Sequence, residues 1–189
     1  MKPPVIQSDR LLLTAVTPDD TDAVYEYCLD PVLQRYTRIP VPYTLGDARY
    51  FTTTYAEQAD RDEHLCLWAI KAKDAAGTLL GALELRFDSV ASAGIGYWLG
   101  APHRGTGIMT EAVGLVADHS FDPRGFDLEK LRWDAVVGNA ASATVACRNG
   151  FRLLGIIEGH VVIRDVAHDA WVAELGRGDP REPAQGWPL

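Results

Sequence analysis

Residues 94–112 read Gly-Ile-Gly-Tyr-Trp-Leu-Gly-Ala-Pro-His-Arg-Gly-Thr-Gly-Ile-Met-Thr-Glu-Ala, and their reading decides the fold. A short apolar run at 95–99 reads as a strand. A glycine-rich turn follows. A helix then opens, with apolar residues at Ile108, Ala112, Leu115 and Val116 spaced for one buried face. Main-chain N–H groups at a helix start have no partner inside the helix, and glycines keep side chains out of the way, so such a turn is an anion site. The chain is therefore expected to hold a phosphate-bearing ligand here. Two common phosphate loops do not fit. No lysine follows Gly107, as a mononucleotide loop requires, and Thr110 stands where a dinucleotide fingerprint needs its third glycine.

Working outward, residues 11–16 read as an opening strand. Thr17-Pro18-Asp19-Asp20 reads as a helix start, with Thr17 as the cap and Asp20 three residues on. That helix is expected to run to about Leu29 and break at Asp30-Pro31. Residues 36–43 carry two prolines and two tyrosines and read as a loop. Thr44 and Asp47 repeat the cap pattern before a helix over about 45–59. Residues 65–72 and 79–87 read as strands of a hairpin around Asp74-Ala-Ala-Gly77. After the helix at 107–121, residues 131–137 read as a strand. Asn139 caps a short helix that stops at Asn149-Gly150, and strands at 151–157 and 170–175 finish the sheet. The expectation is a mixed α/β (α+β) fold: about seven mostly antiparallel strands flanked by about four helices, in one domain over 1–176. Residues 177–189 carry three prolines and are expected to form a loose tail.

Bulk properties narrow the function. The net charge of −8 argues against a nucleic-acid binder, which needs a basic face, and suits a cationic substrate such as an amine. The sequence has no run of 18 apolar residues and no apolar signal region in residues 1–10, so a cytoplasmic protein without a membrane partner is expected. Cys28, Cys66 and Cys147 read as reduced thiols, and the five histidines show no metal spacing, so no metal is expected.

The whole constellation resembles the GNAT superfamily of acyl-CoA-dependent N-acyltransferases, and within it the RimJ/RimL-type branch that acetylates ribosomal protein N-termini. The resemblance runs through Ser8-Asp-Arg-Leu-Leu-Leu13, Pro42-Tyr-Thr-Leu-Gly-Asp-Ala48, Ile95-Gly-Tyr-Trp-Leu99 with Arg104-Gly-Thr-Gly-Ile-Met-Thr-Glu-Ala112, Asn139-x-x-Ser142 with Asn149-Gly-Phe151, and His168-Asp-Ala-Trp171. It implies the GNAT fold and acetyl-CoA as co-substrate. Amides of Arg104, Gly105, Thr106, Gly107, Ile108 and Met109 would bind the CoA pyrophosphate, helped by the helix dipole. Main chain at Tyr97, Trp98 and Leu99 would pair with the pantetheine amides, Asn139 and Ser142 would face the arm from the other side, and Arg148 would reach a CoA phosphate. A homodimer is common in the branch. Two departures stand out: Pro102 where many members carry Gln or Arg, and Met109 where the branch usually has Ala.

The implied chemistry is direct attack of a neutral amine on the acetyl thioester. Near pH 7 a lysine amine is neutral under ~0.1% of the time, but an α-amine about a tenth of the time or more, so an α-amine needs only a weak base. Many members carry a Glu just before the Ile-Gly-Tyr-Trp strand; Gly94 stands there, and Glu84 becomes the candidate base. Ser142 is the first candidate to protonate or hydrogen-bond the leaving thiolate, with Tyr97 second. An amide near Trp98 or Leu99 would meet the oxyanion. Tyr36, Tyr43 and Trp68 are candidates to line the acceptor cleft. The acceptor is either a protein N-terminal amine, which needs an open groove beside 40–43, or a small-molecule amine, which suits a closed pocket. Two alternatives remain: a longer donor such as succinyl-CoA, met by Arg38 or Arg86, and a non-catalytic acyl-CoA sensor.

Overall fold

The computed structural model describes residues 1–74 and 77–189. Eight strands form one sheet in the order β1-β2-β3-β4-β5-β6-β8-β7. They are β1 (Ile6–Gln7), β2 (Leu11–Thr14), β3 (Leu65–Ala72), β4 (Leu79–Ser89), β5 (Ser92–Leu99), β6 (Lys130–Val136), β7 (Arg152–Ile163) and β8 (Val166–Gly176). Every pair is antiparallel except β5 with β6. That parallel ladder runs only from Ser92↔Lys130 to Gly94↔Arg132, whereas β5 stays paired with β4 as far as Gly81↔Leu99. The sheet therefore splits after Gly94, and the edge of β5 over 95–99 faces an open wedge.

Helices cover both faces. α1 (Thr21–Cys28), α2 (Pro31–Tyr36), α3 (Leu45–Tyr50) and α4 (Ala56–Arg61) lie on one side, and α5 (Ile108–Phe121) and α6 (Ala140–Arg148) on the other. Strand alternation sorts β3 between two cores. Cys66, Trp68 and Ile70 pack in the α5 layer, and Leu67 and Ala69 in the layer of α1 and α3. All five are buried, which explains why this strand reads as a continuous apolar run.

Several expectations need correction. Among the described residues the sheet adds one short strand, β1, to the seven expected. Asp30-Pro31 both ends α1 and starts α2: the Asp30 carboxylate accepts from Val32 N–H at 3.0 Å, with Pro31 in the first turn. The helix expected at 45–59 opens as read, Asp47 N–H donating to Thr44 Oγ1 and Thr44 N–H to Asp47. It widens into a π-helical stretch at Phe51–Tyr55 before α4. Strands β7 and β8 run well past their expected ends to a turn at Arg164-Asp165, because polar residues such as Glu158 and His160 are tolerated where the hairpin is exposed. The turn expected at 74–77 lies partly outside the described residues. The expected loose tail is tied down. Ala184 N–H donates to Cys147 O at 3.1 Å, and the Trp187 indole N–H to Phe151 O at 3.1 Å.

Candidate active site

The turn between β5 and α5 offers a row of free donors. Among the described residues, the amides of Gly105, Thr106, Gly107, Ile108, Met109 and Thr110 meet no protein acceptor; the first helical bond is Glu111 N–H to Gly107 O. Gly105 and Gly107 adopt φ of 78° and 80° with open space where a Cβ would stand, so what they supply is left-handed backbone. Arg104 departs from expectation. Its amide already donates to Ala101 O. Its guanidinium turns back to Leu99 O (3.2 and 3.0 Å) and to the Asp30 carboxylate at 2.6 Å. Burial pushes the Asp30 carboxyl up, but the Val32 amide and Arg104 outweigh it and hold it below its ordinary value. Arg104 is thus a clasp between the turn and the α1–α2 corner. Arg148 is exposed on the far wall, with no ion-pair partner among the described residues. The turn, α2 and α6 enclose a cavity of about 360 Å³ lined by the predicted donor-site residues Tyr97, Trp98, Leu99, Arg104, Gly105, Gly107, Ile108, Met109, Asn139, Ser142 and Arg148. Thr106 is not on that wall; its hydroxyl donates to His103 O. Met109 is nearly buried and packs in the core as well as lining the donor cavity.

The split edge has a definite polarity. Gly100 N–H donates to Leu80 O, in register with Gly81↔Leu99. Antiparallel alternation then turns the amides of Gly96 and Trp98 toward β4 and those of Tyr97 and Leu99 toward the wedge. Of the two amides expected to meet an oxyanion, Trp98 is therefore engaged, and Leu99 faces the opening.

α6 brings its first turn to this wedge. Asn139 Oδ1 caps the helix by accepting from Ser142 N–H at 3.3 Å. The Tyr97 hydroxyl donates to Ser142 O at 2.9 Å, and the Trp133 indole N–H donates to Ser142 Oγ at 3.2 Å. Burial pushes the Tyr97 phenol up, and its proton is committed to a carbonyl, so Tyr97 is a poor proton donor and a good anchor for Ser142. Trp133 carried no sequence signal beyond being an aromatic on a strand.

Beyond Tyr97 and Ser142 a second cavity opens, of about 780 Å³, beneath α2, α3 and the β7–β8 hairpin. Its floor is the face of β4 and β5 that carries Ala82, Glu84, Gly94 and Gly96, continued by Arg132 and Asp134 of β6. Glu84 Oε2 accepts from the Tyr55 hydroxyl at 3.0 Å, and Oε1 pairs with Arg86. Burial and the Glu84 charge raise the Tyr55 phenol to about 12. A Cβ on Gly96 would stand 3.4 Å from Glu84 Oε1, so the glycine leaves this carboxylate room. The π-helical stretch stacks Phe51 on Tyr55 and presents both to the cavity. Tyr36 lines both cavities, its hydroxyl donating to Gly138 O at 3.0 Å. Tyr43 lies almost buried at the acceptor wall beside Cys28, and burial pushes both groups up, the thiol to about 11. Trp68 is a correction: it is fully buried on the opposite face, its indole donating to Pro4 O at 2.8 Å, because β3 alternation puts Leu67 toward the cavity instead. Arg38 and Arg86, the cations considered for a longer donor, both line this cavity. Tyr55, Arg132 and Asp134 were missed; the alternation of β6 carries the signal for the last two.

The profile of the acetyltransferase (GNAT) domain matches residues 10–152. The chain belongs to the GNAT acetyltransferase family. It is an N-acetyltransferase that draws its acetyl group from acetyl-CoA. A similar sequence is the probable N-acetyltransferase YjcK of Bacillus subtilis (strain 168), 32% identical over 144 residues that cover 74% of this chain and 77% of that protein. Two solved GNAT structures share the fold. The microcin C7 self-immunity acetyltransferase MccE, in complex with acetyl-CoA and AMP, is 21% identical with a TM-score of 0.76, over 89% of this chain and 93% of that one. The Salmonella typhimurium acetyl transferase that modifies the N-terminal serine of ribosomal protein L7/L12 is 22% identical with a TM-score of 0.77, over 92% and 99%.

Proposed function

We propose that this acetyltransferase modifies a small-molecule primary amine by direct transfer, with the donor along β5 and the acceptor over Glu84. One observation carries the reading: the two cavities share Tyr36, Thr37, Tyr97, Trp98, Asn139 and Ser142, at the place where the β5 edge is unpaired. The donor's pyrophosphate takes the free amides of 105–110, with Arg148 near a further phosphate. The pantetheine arm extends β5 through Tyr97 and Leu99. The amine enters the second cavity and meets Glu84, which has lone pairs to spare after binding Tyr55 and Arg86. As nitrogen bonds to the carbonyl carbon and the carbon–sulfur bond breaks, the amine's proton passes to Glu84, directly or through one water. Ser142 Oγ–H holds the departing thiolate, and Leu99 N–H holds the carbonyl oxygen. The thiolate takes a proton from solvent and Glu84 releases the one it accepted, leaving the amide and free CoA.

The acceptor cavity is bridged on one side. Arg164 at the β7–β8 turn donates to Gln34 O (2.9 Å), Ile39 O (3.2 Å) and Thr37 O (3.4 Å), and Arg38 donates to Val162 O (3.2 Å). That bridge ties 34–39 to the hairpin and narrows the approach a long peptide would use, and the volume suits a small ligand. A second reading, a protein amino terminus, is favoured by exposed Tyr50 on the cavity wall. The free thiols of Cys28, Cys66 and Cys147 support a cytoplasmic setting, and exposed Leu154 and Ile156 on edge strand β7 offer a surface for a homodimer, checked by light scattering. The test is CoA release from acetyl-CoA across matched panels of small amines and peptides. Intersecting initial-rate patterns with no acetyl-enzyme in intact mass support direct transfer; an acetylated Cys147 or serine on the reaction path refutes it. Turnover of peptides but of no small amine would overturn the acceptor assignment.

A further inference from the structure

We propose that Trp187, in the C-terminal tail, is a positioning residue for acetyl transfer, acting through Trp133 on the hydroxyl of Ser142. The proposal rests on the reading of Ser142 as the group that meets the leaving sulfur.

Ser142 Oγ has one proton and two lone pairs. Trp133 Nε1 can only donate, and it occupies one of those lone pairs at 3.2 Å. The serine proton is thereby kept off Trp133 and left for the Tyr97 oxygen, which lies within its reach, or for a ligand in the space the two cavities share. A serine in a first helical turn otherwise turns its hydroxyl onto nearby main chain, which would withdraw that proton from the sulfur. The orientation of one indole thus decides what Ser142 does.

That indole is held from outside the active site. Trp133 is 2% exposed, and its ring meets Trp187 edge-on, with centroids 5.3 Å apart and an interplanar angle of 63°. Trp187 is itself fixed by its N–H to Phe151 O. The tail that carries it is pinned by the reciprocal contact of Ala184 with Cys147, whose thiol donates to Ala184 O at 3.2 Å, and by Arg181 on Asp118, also at 3.2 Å. Trp133 lines the second cavity, whereas Trp187, Ala184 and Arg181 line neither. Edge-to-face aromatic packing restricts ring orientation beyond simple burial. Without Trp187, Trp133 keeps its place in the strand and loses the wall that sets its tilt.

The experiment measures kcat, the amine KM and CoA affinity for Trp187→Ala, Trp187→Phe and Ser142→Ala, and for the double variant of Trp187→Ala with Ser142→Ala. Thermal melts confirm folding. Trp187→Ala is expected to lower kcat on the order of tenfold, a part of what a well-placed proton donor supplies. CoA affinity and KM should stay within about twofold, and Trp187→Phe should restore most of kcat because it keeps an aromatic edge against Trp133. In the Ser142→Ala background the tail substitution should have no further effect on kcat. Trp133→Phe, which keeps the ring and removes the N–H, should match the loss and serves if the tail variant does not fold. An equal kcat loss with and without Ser142, or a loss confined to KM or CoA affinity, overturns the proposal. If Ser142→Ala turns over as fast as the parent, the underlying reading of Ser142 fails, and the proposal with it.

Discussion

The donor and acceptor cavities meet at Tyr97 and Ser142 but are built from different material. The donor side is made of main chain: six free amides of the turn and the unpaired edge of β5. The acceptor side is made of side chains drawn from α2, α3, β4, β6 and the β7–β8 hairpin. Main-chain recognition reads a ligand common to a whole family and needs only the right backbone conformation. Side-chain recognition reads one acceptor and changes with every substitution. The difference teaches that donor-side effects should follow backbone geometry, and acceptor-side effects should follow individual functional groups.

The largest expected effect tests the donor half of that contrast. Gly107→Val forces a β-branched residue into φ near 80°, a conformation that costs ~1–3 kcal/mol. The turn will relax rather than hold it, and its amides will disperse. Calorimetry should show CoA affinity falling about 10- to 100-fold with the fold retained. Unchanged affinity would mean that the turn does not set the amide row. Next comes Ser142→Ala at the junction, where kcat should drop by about 30-fold, a part of what losing one directed donor at a developing charge costs. Both KM values should stay close to the parent's, because the hydroxyl bears on the transition state. Smaller again is Glu84→Gln on the acceptor side. It removes the carboxylate that takes the amine's proton, so kcat should fall about tenfold, a modest loss because water still serves as a weak base, while CoA affinity does not move. A fall in CoA affinity would break the separation between the two halves.

The same division explains what could be read from the sequence. Gly105 and Gly107 announce a backbone with φ positive, and Asn139 announces a helix cap, because each residue type answers a local demand. Glu84 was legible through the alternation of β4. Trp68 was misassigned because alternation fixes which neighbours share a face but not which face looks toward the cavity; that choice depends on β4 and the helices packed later in the chain. Trp133 and Trp187 were illegible for a similar reason. Their contact joins residues 54 positions apart, and each on its own resembles an ordinary apolar residue. Arg104 shows the reverse failure, a cation in a phosphate turn whose guanidinium is claimed by Asp30 and Leu99 O.

The smallest expected effect separates the anchoring of the donor helix from ligand binding. Glu111, in the first turn of α5, accepts from Ser8 Oγ at 2.5 Å and from Arg10 Nε at 2.9 Å, tying the helix to the start of β2. Burial pushes this carboxyl up, but Ser8 and Arg10 outweigh it and hold it below its ordinary 4.5. A carboxylate with a depressed folded-state pKa contributes stability that is fully present above the unfolded value and is lost as pH falls through the folded one. Glu111→Gln should therefore lower stability at pH 7 by about 0.5–1 kcal/mol, a modest figure because Arg10 is largely exposed. The two proteins should converge as pH drops from about 4.5 toward 3, by urea midpoints at each pH. CoA affinity at pH 7 should match the parent's, because Glu111 supplies no donor to the turn. A stability difference that stayed constant with pH would show that the carboxylate's charge is not what holds the helix.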